Sequence, residues 1–392
     1  MDFEKLRDLS EQNDVMIGSH EGHHRTPPYY YDSLRHALGF YFNTFNTQNA
    51  SYNFYAEGLS RNPRIAKSRD FLDEDNTVLA IVAFERFFEL FIKSVLTATD
   101  PKLGYSRKAR RHIEIKDLVE EIHSSSFAPK SINGKPFSLP FRETLRRFYG
   151  LIDLLNNGYE NPIVSAFSEV VSKYQFFDSR DYKATLELLN WYRDRILHNG
   201  NQLPSLWMLD YLVTQRILPI IVSITRADKG ILGNSVFYFK TLTHINIIEK
   251  LNDIRYELSQ LYDSDKQRDT YWMLLYMGHL KELGRANLNM NLFMRKNIQA
   301  TYEYNYRDPK GRGRRFAQAE LSGCMIAKRV ASCPCCGEMS LIVYREIVDD
   351  IFNVGSKKSI EWVKCYTCDY HIRDNVGDPS IFSLCQDRLF ME

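Results

Sequence analysis

The chain has no cysteine before Cys324, and its seven cysteines fall between that residue and Cys385. A disulfide framework would spread cysteines through the fold, so this crowding argues against one and fits a metal site in a reducing compartment. A cytoplasmic location is therefore expected. Long hydrophobic runs are also missing. None approaches the ~20 apolar residues of a membrane span, and the nearest, Ile217 to Ile224, is interrupted by Pro219. No membrane partner is expected. The opening segment, Met1 to Ser10, is polar and charged and lacks the apolar centre of a secretory signal. Charge of one sign is lacking too: 51 Lys and Arg stand against 49 Asp and Glu, a formal net charge of +2. Bulk electrostatics thus name no partner, and basic clusters must be judged one by one. There is no internal repeat and no long low-complexity tract.

What remains is a chain of ordinary globular composition, long enough for two or three domains. Its periodicity is mainly helical. Asp73 to Thr77 supplies caps and early acids for a helix whose body, Val78 to Leu96, is apolar on most sides and should sit at the centre of a bundle. Glu85, Glu89 and Lys93 share one face of it. Glu89 and Lys93 read as an i,i+4 pair, and Glu85 is either part of the same polar edge or a site residue. Further helices are predicted over Ser33–Asn43, Phe141–Leu155, Ile163–Tyr174, Asp181–His198, Leu206–Arg226, His244–Leu261, Thr270–Leu283 and Pro379–Phe390. Loops are expected around His20, His23, His24 and the tyrosines 29 to 31, and from Ser124 to Pro140. The three histidines lack the spacing of a zinc-protease helix.

Four cysteines form two pairs with the spacing C-x2-C-x28-C-x2-C: Cys333, Cys336, Cys365 and Cys368. The first knuckle reads Cys-Pro-Cys-Cys-Gly. Two short knuckles of two thiolates each suit a tetrahedral zinc ion with little backbone strain. Four thiolates leave no position for water, so such a zinc would be structural. Cys335 should point away from the metal, His371 could substitute for one cysteine, and Cys324 and Cys385 read as thiols outside the site. The predicted ribbon occupies about 329–373, with strands at Leu341–Ile347 and Trp362–Cys365.

A second pattern lies at the end of the 181–198 helix: Arg193, Asp194 and, four residues on, His198, followed by Asn199-Gly200. Arg107 and His112 repeat the arginine–histidine spacing without that context. Asp194 and His198 share a helix face, so the carboxylate could orient the ring. Arg193 points about 140° away, on the stripe of Leu186 and Leu189. An imidazole can take or give a proton near neutral pH, and a guanidinium can stabilise charge building on phosphate. The same residues are equally those of an Arg–Asp ion pair beside a helix-ending histidine.

In its arginine, following polar residue, spacer and histidine, and in its place after a long apolar helix, the segment 70–225 resembles the HEPN superfamily of all-helical domains, many of them RNA-cutting effectors. Asp194 stands where the commonest form has Asn. The resemblance implies a mainly α protein with a HEPN-like bundle. It also implies a metal-independent endoribonuclease, with Arg193, Asp194 and His198 in a site shared across a homodimer, RNA as substrate and a defence or toxin role. An inhibitory or sensor protein partner would hold such an activity in check.

The expected division is an N-terminal segment (1–70), a HEPN-like domain (71–230), a helical connector (231–325), a small β zinc ribbon (326–376) and a tail helix (377–392). Within the connector, Tyr302, Tyr304 and Tyr306 alternate like a strand and run into a basic, glycine-containing turn with Arg312, Arg314 and Arg315. These four, Tyr304 and the three arginines, are RNA-binding candidates through stacking and phosphate contact; a buried tyrosine face with a solvated turn is the alternative. Arg107 to Arg111 and Lys357, Lys358 and Lys364 are weaker candidates. The competing function is a non-catalytic helical adaptor whose ribbon docks a protein or nucleic acid; a DNA-directed regulator is a third.

Overall fold

The structure is a computed structural model that describes residues 29–45, 74–108, 113–132, 135–174, 180–199, 203–204, 206–228, 241, 243–253, 276–289, 309–349 and 356–373. It is mainly helical, with a four-stranded antiparallel sheet toward the C-terminus.

Helix α2 (Glu74–Thr99) is the axis of the molecule. Ala80, Ile81, Phe84, Phe87, Phe88, Phe91, Ile92, Val95 and Leu96 along it are all buried. Such breadth of apolar surface needs neighbours on several sides, and α2 packs against α1 (Tyr30–Asn43), α4 (Phe141–Asn156), α5 (Pro162–Val171) and α6 (Arg180–Asn199). α3 (Ile115–His123) lies against α4 and α5. Asn161 caps α5 by accepting from the Ile163 N–H at 2.8 Å, with Pro162 at the first helical position. The segment between α3 and α4 is a loop, as expected, carrying a two-residue hairpin of β1 (Ser131–Ile132) and β2 (Lys135–Pro136).

α1 begins three residues before its predicted start and takes in Tyr30 and Tyr31, which the sequence places in a loop. The reason is remote. The hydroxyls of Tyr30, Tyr31 and Tyr174 all donate to the buried Asp228 carboxylate, at 2.7, 3.1 and 2.7 Å. Burial and that carboxylate push all three phenols well above their ordinary range. The Tyr30 ring meets Phe91 edge-on at 5.4 Å. A tyrosine run reads as surface only when no partner for its hydroxyls is in view.

The expected helix after Leu206 is present but uneven: α7 (Leu206–Tyr211), a π-helical turn (Leu212–Ile217), then α8 (Leu218–Ala227). Pro219 supplies the cause, since it donates no hydrogen bond to the preceding turn and its ring crowds the carbonyl four residues back. Among the described residues, Met208–Ala227 is the one helix long and apolar enough to cross a membrane, and most of it is buried inside the protein. α9 (Ile247–Asp253) starts later than expected, and α10 (276–289) is still helical six residues beyond the predicted Leu283.

The sheet runs β3 (Ala327–Ser332), β4 (Met339–Asp349), β5 (Ser356–Cys365), β6 (His371–Arg373) in that spatial order, every pair antiparallel. Leu341 pairs with Cys365 and Val343 with Val363. Side chains alternate between two covered faces. Leu341, Val343, Val363 and Ile372 join the same buried core as the helices, whereas Ile342 and Tyr344 pack with Ala317 under α11 (Pro309–Gly323). The predicted basic turn at Arg307–Arg315 is thus a helix from Pro309 onward. Gly313 explains it: a Cβ there would collide with the Thr367 hydroxyl and come within 3.2 Å of the Thr367 Cα. The glycine permits a close approach of helix to sheet, and is no turn signal here. Tyr302 to Tyr306, the N-terminal histidines and the tail predicted as Pro379–Phe390 lie outside the described residues.

Candidate functional site

α6 buries Leu186 and Leu189 against the core and turns its next face outward. That outer face, from Lys183 through Glu187, Asn190, Trp191, Asp194 and Arg195 to His198, forms one wall of a groove of about 1370 Å³. α4 lines it too, with Arg142, Arg146, Tyr149 and Asp153, as do Ile115 and Lys116 at the start of α3. Asp194 and His198 line the groove together, as their i,i+4 spacing requires. His198 is exposed in the last turn of α6.

Arg193 does not line the groove. Its guanidinium donates to Asp194 Oδ1 at 2.9 Å, and Asn190 donates to Asp194 Oδ2 at 3.3 Å, so the carboxylate is held from two sides. Beneath this couple, on α2, lies Glu85, only 3% exposed, with Oε1 lacking a hydrogen-bond partner among the described residues. Burial and then the neighbouring Glu89 push the Glu85 carboxyl up to about 7, and Arg193 pulls the other way. Glu89 itself pairs with Lys93 at 2.5 Å, the i,i+4 contact expected from sequence, and with Arg86 at 3.1 Å. Within one chain, then, Arg193 belongs to the α2 side of the helix and His198 to the groove. The groove lining carries five Lys or Arg and five Asp or Glu, so its net field does not by itself select a polyanion.

Trp191 is a groove residue that the sequence pattern does not single out. It is 43% exposed and takes the Arg195 guanidinium on its face at 4.2 Å. Its place three residues before Asp194, on the same face, is the only local signal. Of the other basic candidates, Arg107 makes a two-pronged ion pair with Glu121, while Arg110 and Arg111 lie outside the described residues. Arg312, Arg314 and Arg315 are exposed on α11, and Tyr304 is outside the described residues.

The second site is the cysteine cluster. The Sγ atoms of Cys333, Cys336, Cys365 and Cys368 all lie within 4.8 Å of one another, and all four residues are buried. Cys333 to Cys368 is 3.5 Å and Cys336 to Cys365 is 3.7 Å. Thiolates bound to zinc at ~2.3 Å in a tetrahedron stand about 3.8 Å apart, so the cluster could hold a metal ion of that kind. Both knuckles share one backbone design. The N–H two residues after the first cysteine points at its sulfur, Cys335 to Cys333 and Thr367 to Cys365, each at 3.4 Å. The residue after the second cysteine takes a left-handed conformation, Gly337 at φ 74° and Asp369 at φ 60°. Ser340 adds its hydroxyl 3.3 Å from the Cys365 sulfur. Cys335 is directed to the Leu283 carbonyl of α10, at 4.0 Å. The His371 ring sits edge-on to Trp362, and its backbone N–H donates to Glu282.

Comparison with protein-family models, with curated proteins and with solved structures finds no match for this chain.

Proposed function

We propose that the chain is a metal-independent endoribonuclease of the HEPN type, working as a homodimer, with Arg193, Asp194 and His198 as its site. The observation that carries this reading is that Asp194 and an exposed His198 line one open groove at the end of α6. RNA brings its own nucleophile. The 2′-oxygen bonds to phosphorus as the bond to the 5′-oxygen breaks. A base removes the 2′-hydroxyl proton, and an acid protonates the leaving 5′-oxygen. The products are a 2′,3′-cyclic phosphate and a 5′-hydroxyl.

His198 is the group suited to move a proton in either direction. Asp194 orients the ring and, through its ion pair, fixes Arg193. Because Arg193 faces away from the groove, its charge reaches the phosphate from a second copy, whose own His198 is matched in return. Trp191 and Leu197, 43% and 56% exposed beside the motif, are apolar surface that such a pairing would cover. Zinc held by the four cysteines would serve the fold alone, since four thiolates would leave no position for water. A defence or toxin role accompanies the reading.

The test uses the full chain and His198→Ala with single-stranded RNA in the presence of a chelator. The wild type should produce ends carrying a 2′,3′-cyclic phosphate, and His198→Ala and Arg193→Ala should lose at least a hundredfold in rate. Equal cleavage of an all-deoxy strand would eliminate the 2′-hydroxyl mechanism. The Arg193–Asp194 ion pair favours a second reading, a non-catalytic helical adaptor, for which wild type and His198→Ala would be equally inert.

A further inference from the structure

The outer side of the sheet carries a feature that shares no residue with the groove on α6. The Arg312 guanidinium lies 5.4 Å from the centre of the Phe316 ring, one helical turn further along α11. Phe316 stacks on Tyr366 of the second cysteine knuckle, with ring centres 6.5 Å apart and planes 20° from parallel. The Lys364 ammonium lies 5.3 Å from the centre of Tyr366. The order from helix to sheet is therefore cation, ring, ring, cation. Phe316 is 49% exposed although it sits among charged residues, and Tyr366 is half-buried beside it.

The array is also rigidly mounted. Gly313 presses α11 onto Thr367, between the two cysteines of that knuckle. Trp362, two residues before Lys364 on the same face of β5, stacks flat on Tyr344 at 3.6 Å. The helix that carries Phe316 brings charge of one sign to it. From Pro309 to Ala319 the helix carries Lys310, Arg312, Arg314 and Arg315 and no acid. The first acid, Glu320, is engaged by the Tyr344 hydroxyl at 3.1 Å. Arg315 is exposed on the crest of the helix next to Arg312, while Arg314 falls on the opposite flank.

We propose that Arg312, Arg315, Phe316, Lys364 and Tyr366 form a second binding surface, one that holds single-stranded nucleic acid by stacking bases on the two rings and phosphates on the flanking cations. Two adjacent rings flanked by cations suit a polymer of stacking bases joined by phosphates. An acidic peptide would use the cations and leave the rings exposed. A duplex would hide its base faces in its own stack, so an unpaired strand is favoured. Stacking and phosphate contact are common to RNA and DNA strands. The surface does not depend on the nuclease reading, because it can bind without any cleavage.

The experiment is fluorescence anisotropy on the full His198→Ala chain, with labelled twelve-nucleotide oligouridine, the matching deoxy strand and a blunt RNA duplex, over a salt series. Phe316→Ala should weaken oligouridine binding by roughly 5- to 150-fold, the range of one lost base stack, and Phe316→Tyr should retain most of it. Arg312→Gln with Arg315→Gln should reduce the slope of log affinity against log salt by about 1.4, two phosphates' worth for a single strand. Stronger binding of oligouridine than of the deoxy strand would assign the surface to RNA, and equal binding to unpaired strands of either kind. Circular dichroism and metal content check that each variant is folded. Duplex binding as tight as single-strand binding, arginine dependence without Phe316 dependence, or no binding of any strand would each overturn the proposal. In the last case cleavage by the wild type, measured separately, would leave the groove on α6 unaffected.

Discussion

Lys281 on α10 and Asp210 on α7 meet at 2.6 Å with both side chains sealed from solvent, at 0% and 3% exposure. The Lys281 ammonium also donates to the Thr44 hydroxyl at 3.0 Å and lies 4.7 Å from the centre of the Tyr41 ring. Burial pushes the Asp210 carboxyl up, and the ammonium beside it opposes that shift. Three elements from distant parts of the chain are thus fixed around one ion pair. Removing one partner strands the other in a medium that solvates charge poorly. Lys281→Ala should therefore cost about 3–5 kcal/mol in chemical denaturation, and Lys281→Met combined with Asp210→Leu should recover much of the loss. Additive losses in the double variant would show that the two groups do not act as a pair.

Glu85 gives a pH signature. Its folded value of about 7 lies above the 4.5 of an ordinary glutamate. A raised carboxyl stabilises nothing extra below pH 4.5. Between there and pH 7 the unfolded chain ionises while the fold still holds a proton, so stability falls as pH rises. The shift corresponds to ~3 kcal/mol. Glu85→Gln should match the wild type at pH 4 and exceed it by that order at pH 8, read from denaturation midpoints. A constant difference across that range would remove Glu85 as the source.

Metal removal should be felt beyond the sheet. The inner faces of β4 and β5 share the helical core, and Cys335 packs onto α10. Purified chain should carry one zinc per molecule, and Cys336→Ser or Cys365→Ser should carry less than a tenth of that. Both variants should melt several degrees lower, because binding energy for a structural metal is also folding energy. Full stability in a metal-free Cys365→Ser chain would show that the cysteines are ordinary buried thiols.

Gly313 tests the seating of α11. Gly313→Val would drive a branched side chain into Thr367 and should destabilise by about 1–3 kcal/mol. Loss of the Phe316–Tyr366 stack would accompany it, seen in the near-ultraviolet dichroism. A neutral effect would mean that the helix can lift from the knuckle without cost.

The cysteine site was the most legible part of this molecule. Its cysteines sit in two local turns, and the three-residue spacing within each pair already fixes the geometry of each. The long helices α2 and α6 were legible for the same reason: their faces repeat within a few turns, and Asp194 and His198 emerge side by side. The remoter half of each picture was not. Tyr30 and Tyr31 read as loop because Asp228 is 198 residues from Tyr30. Gly313 read as turn because Thr367 was out of view. The π-helical turn was implied by Pro219 only once the flanking residues were known to stay helical.

Local spacing, then, determined by itself which cysteines gather, which helices form and which side chains share a face, since those depend on backbone geometry over a few residues. Tertiary structure alone decided where buried charges find partners, that the His198 face of α6 lines a groove shared with α4, and that a basic glycine-rich stretch becomes a helix clamped to a cysteine knuckle. Those outcomes rest on desolvation and close packing between segments far apart in the chain, and no short window of sequence contains both sides of such a contact.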